Sequence, residues 1–354
     1  MEDTPLFKNM SFFLGKRKIG GNSLPLIVSE IGINHNGSLR EAIRIADSAI
    51  NAGAEVIKHQ THIIDDEMIN EAKKIKPGNS NKSIFNIMKC SSLSEKNEYL
   101  LMRHIQKRGR IFISSPFSRA AVDRLVKFKV PAFKIGSGEC NNYPLIEYIC
   151  KFKKPIILST GMNSVETIKP AVNILRRKKI NFALLQCTNI YPTPYKLVQL
   201  NCMRELKKNF PEAVIGLSDH TKDLYCSYAA LGLGASIIEK HFTDTKKRKG
   251  PDISSSMDKT ELKSLISASK AIFEAISYKG KKKPLKEESK TIKFAYASVV
   301  TIKPISKGEK FSKRNLWVKR PGNGDFLAKE FNNLIGKKAK KEISANVFLK
   351  KNDV

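Results

Sequence analysis

The sequence predicts a (β/α)8 barrel, the TIM-barrel architecture, followed by a small β-rich domain. Two patterns predict the barrel. Eight short β-branched, apolar runs each end in polar residues, and amphipathic helical stretches fill the gaps between them. A third observation predicts the appendage: the pattern changes beyond a Lys-rich stretch that begins at Lys279.

The runs begin near Ile27 (IVSEIGI), Glu55 (EVIKHQT), Arg110 (RIFISSPF), Ala132 (AFKIGSGE), Pro155 (PIILSTGM), Phe182 (FALLQCTN), Ala213 (AVIGLSDH) and Ser236 (SIIEKHFT). They are apolar throughout rather than alternating, which suits strands of a parallel sheet buried on both faces. After the first run, Ser38 and Glu41 have capping-box spacing. Leu39, Ala42, Ile43, Ala46 and Ile50 form an apolar stripe, and Gly53 supplies a stop. Asn163 and Glu166 repeat the start signal ahead of VETIKPAVNIL, and a last long helix is expected from Asp258 to Tyr278. Eight such units in roughly 250 residues fit a closed barrel better than an open doubly wound sheet. The dinucleotide fingerprint G-x-G-x-x-G is also missing. The expected organisation is a barrel domain over 1–278, a mobile Lys-rich linker over 279–290 and a tail domain over 291–354. The tail is small enough that its own core is marginal.

At 354 residues with 41% hydrophobic and 27% charged side chains, the composition excludes fibrous and low-complexity proteins. No apolar run approaches the roughly 20 residues needed to span a bilayer, and the opening MEDTPLFKNM lacks the layout of a secretory signal. No membrane association is expected, and the expected compartment is the cytoplasm. Six cysteines without a C-x-x-C pair suit reduced, mostly buried thiols. The net charge of +31 raises the question of a polyanion partner, but only 14 of the 64 basic residues are arginine. The runs RRKK (from Arg176), KKRK (from Lys246), KGKKK (from Lys279) and KKAKK (from Lys337) lie apart without interleaved aromatics. They read as solvated faces, and no nucleic-acid partner is expected.

A barrel concentrates chemistry where strands end. Here those ends carry Glu30, Asn34 and His35; Lys58 to Thr61; Ser114 and Ser115; Lys134, Ser137 and Glu139; Ser159 and Thr160; Thr188, Asn189 and Tyr191; Ser218 to His220; and Glu239 to His241. Lys58 and Lys134 interrupt otherwise apolar strands, and a buried ammonium needs an anion. With the hydroxyls of Ser115, Ser137, Ser159 and Ser218 and the backbone at Gly136 and Gly138, they form a cradle for a phosphorylated anion. His220 and His241 end neighbouring strands, which places two imidazoles side by side on the rim. Taken alone, such a pair is either hydrogen-bonded structure or two ligands of a divalent cation. An open shell of that kind suits Mn²⁺, Co²⁺ or Mg²⁺ better than structural zinc. His35, His59, His62 and His104 are read as structural.

SEIGINHNGS (from Ser29), IKHQT (from Ile57), FISSPFSRAA (from Phe112), KIGSGECNNYPL (from Lys134), ILSTGM (from Ile157), TNIYPTP (from Thr188), GLSDH (from Gly216), EKHFT (from Glu239) and LWVKRPGNGDF (from Leu316) resemble the motifs of bacterial N-acetylneuraminate (sialic acid) synthases. The motifs stand in that family's order, and the tail resembles its antifreeze-like (SAF) domain. The resemblance implies condensation of phosphoenolpyruvate with N-acetylmannosamine to N-acetylneuraminate and phosphate. A divalent metal, Mn²⁺ first, on His220 and His241 is implied to polarise the aldehyde. Lys58, Lys134 and the four serines are implied to hold phosphoenolpyruvate. Glu139 would orient or deprotonate the attacking water and Glu30 hold a sugar hydroxyl or pass a proton, with those two roles exchangeable. Asn79, Asn189, Tyr191 and Asp252 would line the sugar path. In a domain-swapped homodimer, Arg320 would reach the N-acetyl group with Phe294 nearby. Ser115 and Cys187 stand where the family pattern leads one to expect threonine. A legionaminic or pseudaminic acid synthase, using a diacetamido sugar, is the alternative within the same chemistry. A basic polyanion binder is the alternative outside it.

Overall fold

In the computed structural model, which describes residues 10–78 and 80–354, eight parallel strands close into a barrel. They are β3 (Leu26–Gly32), β4 (Val56–Thr61), β5 (Ile111–Pro116), β6 (Phe133–Ile135), β7 (Ile156–Ser159), β8 (Phe182–Cys187), β9 (Val214–Asp219) and β10 (Ile237–His241). Each pairs with the next in sequence, and β10 closes on β3 with His241 opposite Glu30. All eight apolar runs are barrel strands, and every strand is buried except for one half-buried residue in β4 and one in β5. The outward-facing residues, such as Ile31, Ile57, Phe112 and Leu184, pack against the surrounding helices in the larger of the barrel's two apolar clusters.

The second cluster is the barrel's floor. Val28, Val56, Ile113, Ala132, Ile157, Ala183, Val214 and Ile237 point inward and meet Phe12, Leu14 and Ile19. Those three come from an antiparallel hairpin, β1 (Ser11–Leu14) and β2 (Arg17–Gly20), that sequence inspection missed. Its turn uses Gly15 at φ +59°, a left-handed conformation that glycine adopts without strain. Burying three large apolar side chains there stabilises the barrel by about 1.5–3 kcal/mol each, so the hairpin seals the end where the strands begin.

Helix Leu39–Asn51 starts at Ser38, whose hydroxyl accepts from Glu41 N. The reciprocal arm of the expected capping box is absent, because the Glu41 carboxylate pairs with Arg248 at 2.6 Å. Helix Val165–Arg177 has Ser164, not Asn163, at its N-cap position, without a side-chain cap bond; the Asn163 side-chain amide instead donates to the carbonyls of Ser137 and Gly161. The last barrel helix is Lys259–Ile276, with a complete capping box between Asp258 and Glu261. The basic runs are only partly solvated faces: Arg176 pairs with Glu212, Arg177 with Glu147, and Arg248 with Asp244 and Glu41. All six cysteines are free thiols; Cys90 is exposed and Cys202 half-buried.

Behind β4 lies a buried polar chain. The Gly37 N–H donates to His35 Nδ1 (3.1 Å), so Nε2 carries the His35 proton and donates to His59 Nε2 (3.2 Å). His59 Nδ1–H then donates to Glu98 Oε1 (3.2 Å), which also accepts from Thr61, while Arg124 holds Oε2 at 3.0 Å. Burial, with His59 next in effect, pushes the His35 pKa down to about 3. The unfolded chain therefore takes up this proton below about pH 6.5 while the folded chain does not, and stability falls from there toward pH 3 by up to ~1.4 kcal/mol per pH unit. Chemical denaturation of wild type and His35→Gln at pH 7 and pH 5 checks this; the variant should show a shallower pH slope.

The chain divides into two compact units, one ending at Tyr278 and one running Lys279–Val354. The second pairs β11 (Ser298–Thr301) with β12 (Leu316–Lys319) antiparallel, over a core that includes Val299, Phe311, Leu316 and Leu349. The segment read as a linker is partly ordered. Lys286–Glu288 forms a 3-10 turn that leads into helix Ser289–Ala295, which crosses the expected boundary at residue 291. The Glu288 carboxylate accepts from Leu285 N at 2.7 Å, a cap that the Lys-rich composition concealed.

Candidate active site

Strand geometry sends alternate side chains to opposite faces. Residues two beyond the floor layer therefore point into the barrel above it, and these are Glu30, Lys58, Ser115, Lys134, Ser159 and Glu239. His241 stands one pleat above Glu239, and His220 one pleat above Ser218. All eight are buried.

Lys58 Nζ forms an ion pair with Glu30, lies 3.8 Å from Glu239 Oε1 and donates to Ser115 Oγ at 3.3 Å. Lys134 Nζ donates to Ser159 Oγ (2.7 Å) and to the Ile135 carbonyl (3.0 Å), and lies 3.5 Å from Glu239. Glu239 thus sits between the two ammonium groups, and Ser218 Oγ donates to it at 3.2 Å. Burial opposes charge on all three groups, but the outcomes differ. Glu239 and Glu30 together outweigh burial at Lys58 and raise its pKa, whereas burial prevails at Lys134 and lowers it. At Glu239 the two lysines outweigh burial and hold the carboxyl below its usual range. Two ammonium groups facing two carboxylates leave the pocket close to neutral, yet Glu30 Oε1 and Glu239 Oε2 have no hydrogen-bond partner. Such orphaned polar atoms in a buried site mark a place for ligand atoms.

The imidazoles stand together at the rim, with ring centroids 5.5 Å apart. The Tyr191 ring stacks on His220 at 4.2 Å and its hydroxyl lies 3.2 Å from His220 Nε2. His220 Nδ1 donates to the Thr188 carbonyl at 2.9 Å, which leaves the Nε2 lone pair as an acceptor beside the Tyr191 hydroxyl. His241 Nδ1 is buried without a hydrogen bond, 3.7 Å from Asp252 Oδ2. Burial pushes Asp252 up to about 6 and drives His241 well below its ordinary value. A fixed tautomer on one ring and an unpartnered nitrogen on the other fit two ligands of a divalent cation. No group of three or more His, Cys, Asp or Glu side chains arranged for a metal occurs among the described residues. Any remaining ligands would then be water or substrate oxygens.

Other expected residues lie further out. Ser137 Oγ accepts from Gly161 N at 3.0 Å, and Asn189 Oδ1 accepts from the Cys187 thiol at 3.2 Å; Cys187 Sγ is itself 3.7 Å from His220 Nδ1. Glu139, on the 3-10 turn after β6, is half-buried and held by Asn142 Nδ2 at 2.6 Å, and burial raises its pKa. The carboxylate at the centre of the lysine pair is instead Glu239, which sequence reasoning left among the strand-end residues. Strand parity was the missed signal: in IIEKH, Glu239 and His241 share the face of floor residue Ile237, while Lys240 faces out. Asn79 lies outside the described residues. Phe294, on helix Ser289–Ala295, and Arg320 are exposed in the second unit, where Arg320, Lys319, Lys341 and Lys350 line a groove of about 630 Å³. His62 bonds Glu67 (2.8 Å) and Gln60 (3.2 Å), and His104 bonds Asp47 (2.8 Å), the structural role expected of both. No helix among the described residues is long and apolar enough to cross a membrane.

Comparison with known proteins agrees with this architecture. Residues 45–281 match the NeuB family and residues 296–354 a SAF domain. An N,N'-diacetyllegionaminic acid synthase of Campylobacter jejuni is 39% identical over 89% of this chain and 96% of its own length. The human N-acetylneuraminate-9-phosphate synthase is 32% identical, covering 91% of this chain and 90% of its own. The crystal structure of an N-acetylneuraminic acid synthetase from Leptospira borgpetersenii, in complex with citrate, superposes with a TM-score of 0.73 at 32% identity, over 80% of this chain and 95% of that one. The chain belongs to the NeuB family, whose relatives named here are sugar-acid synthases, and it carries a SAF domain at its C-terminal end.

Proposed function

We propose that the chain condenses phosphoenolpyruvate with the aldehyde of an open-chain 2-acetamido sugar, N-acetylmannosamine giving N-acetylneuraminate, and releases inorganic phosphate. The single observation that supports this most is the buried cluster in which Lys58 and Lys134 flank Glu239 beneath two imidazoles. Lys58, Lys134 and the hydroxyls of Ser115, Ser137, Ser159 and Ser218 would bind the carboxylate and phosphate of phosphoenolpyruvate. His220 and His241 would hold a divalent cation, Mn²⁺ first, which when bound supplies Lewis acidity and positive charge at a nearby carbonyl oxygen. The enol carbon forms the new C–C bond to the aldehyde carbon, and positive charge develops at the carbon bearing phosphate. Water adds there and passes one proton to a carboxylate, and as the C–O bond to phosphate breaks the hydroxyl becomes the carbonyl and its proton leaves with inorganic phosphate. Glu139, on the turn after β6, is the assigned acceptor of that proton. Glu30, facing the sugar side, is assigned to hold a hydroxyl or to return a proton to the new alkoxide. Asn189, Tyr191 and Asp252 would line the sugar's path. By family resemblance, Arg320 and Phe294 of a domain-swapped partner would meet its acetamido group.

A second reading concerns the sugar alone. A Legionella pneumophila relative, 32% identical over 95% of this chain, is like the Campylobacter protein an N,N'-diacetyllegionaminic acid synthase, and this favours a 2,4-diacetamido-2,4,6-trideoxy sugar. Phosphate release measured with phosphoenolpyruvate, Mn²⁺ and each sugar in parallel decides. Turnover with N-acetylmannosamine supports the first reading. Turnover with the diacetamido sugar alone supports the second, and release with neither sugar overturns both.

A further inference from the structure

Outside the barrel wall, the residue that precedes each rim imidazole belongs to a buried ion pair. Asp219 and Lys240 face away from the pocket, and neither side chain has any exposure. Lys240 Nζ lies 3.4 Å from Asp219 Oδ2 and donates to the Thr221 carbonyl at 2.6 Å. Asp219 Oδ1 accepts from Thr221 N at 2.8 Å, and its Oδ2 accepts from Ser227 Oγ at 2.6 Å. The register of β9 with β10 ends at this same pair, Lys240 opposite Asp219. Beyond that point no rung of the ladder links the two imidazoles. What crosses from one strand end to the other is the Lys240 side chain, which grips both neighbours of His220 from the position next to His241.

A buried ammonium and carboxylate each lose several kcal/mol of hydration, so such a pair is retained in one geometry where every donor and acceptor is met. Here Asp219 accepts two hydrogen bonds besides the ion pair, and Lys240 is held between that carboxylate and the Thr221 carbonyl. We infer that the Asp219–Lys240 pair is a positioning clamp that sets the separation and aim of His220 and His241 for a divalent cation while touching neither the cation nor the substrate. This rests on the reading that those two imidazoles hold such a cation.

The test is Mn²⁺ binding to the full chain, measured by calorimetry without substrate. The charge-neutral variant Asp219→Asn with Lys240→Met keeps the volume of both side chains. It is expected to weaken Mn²⁺ binding by about tenfold or more, the scale of lost outer-shell support, while metal-free binding of phosphoenolpyruvate changes by less than about twofold. Ser227→Ala removes one hydrogen bond to Asp219 without unpairing a buried charge, so it decides the matter should the double variant not fold. About threefold weaker Mn²⁺ binding is expected of it. Mn²⁺ affinity equal to wild type in a folded variant overturns the clamp alone. Failure of the wild type to bind Mn²⁺, or undiminished binding by His220→Ala, overturns the cation reading and the clamp with it.

Discussion

Replacing both rim imidazoles, His220→Ala with His241→Ala, is expected to lower phosphate release from phosphoenolpyruvate and the preferred sugar by at least about 10³-fold, which is ~4 kcal/mol of transition-state stabilisation. Two features set that size. The rings are buried side by side and are the only imidazoles assigned to the cation, and the layer below is close to neutral, so it has no surplus positive charge for an incoming phosphate and carboxylate. Chelation of the wild-type protein should have a comparable effect that added Mn²⁺ reverses, while the double variant should gain nothing from Mn²⁺. Wild-type turnover that survives exhaustive chelation would remove the cation from the mechanism.

The second large effect is expected at Lys134. Lys134→Met keeps the length of the side chain but removes the ammonium that faces Glu239 and Ser159. Phosphoenolpyruvate loses a buried charge-assisted contact and Glu239 keeps only the more distant Lys58, so kcat/KM for phosphoenolpyruvate should fall by about 10²–10³-fold. Removing one partner of a buried pair also destabilises the fold, by about 3–5 kcal/mol at most. Adding Glu239→Gln should return much of that stability, seen as a recovered melting temperature, with no recovery of activity. Recovery of both would mean that Lys134 serves the fold and not the anion.

The barrel was legible because parallel strands buried on two faces have a compositional signature that local sequence carries. The lysines were legible for the same reason in reverse, since an ammonium inside such a strand contradicts its surroundings. Glu239 was harder: EKH places three polar residues in a row at a strand end, and only the two-residue period separates the pair facing the pocket from the lysine facing the helices. The β1–β2 hairpin was missed because two strands of four residues resemble an irregular leader until their contacts with the barrel floor are known. Asn163 does not cap the helix after β7, since its amide is drawn to the Ser137 carbonyl on a neighbouring loop. Phe294 and Arg320 are exposed on a separate unit, so packing at their own positions carries no sign of a role.

The hairpin stoppers the barrel below its charged layer, so on the proposed reading a ligand would reach the lysines from the imidazole side. If the proposed reaction holds, the phosphoenolpyruvate bound by the lysines would pass the imidazoles before the aldehyde took its place above, and a sugar arriving early would bar the way. Inhibition by excess sugar should therefore be relieved by raising phosphoenolpyruvate, the pattern of an ordered queue rather than of two independent berths.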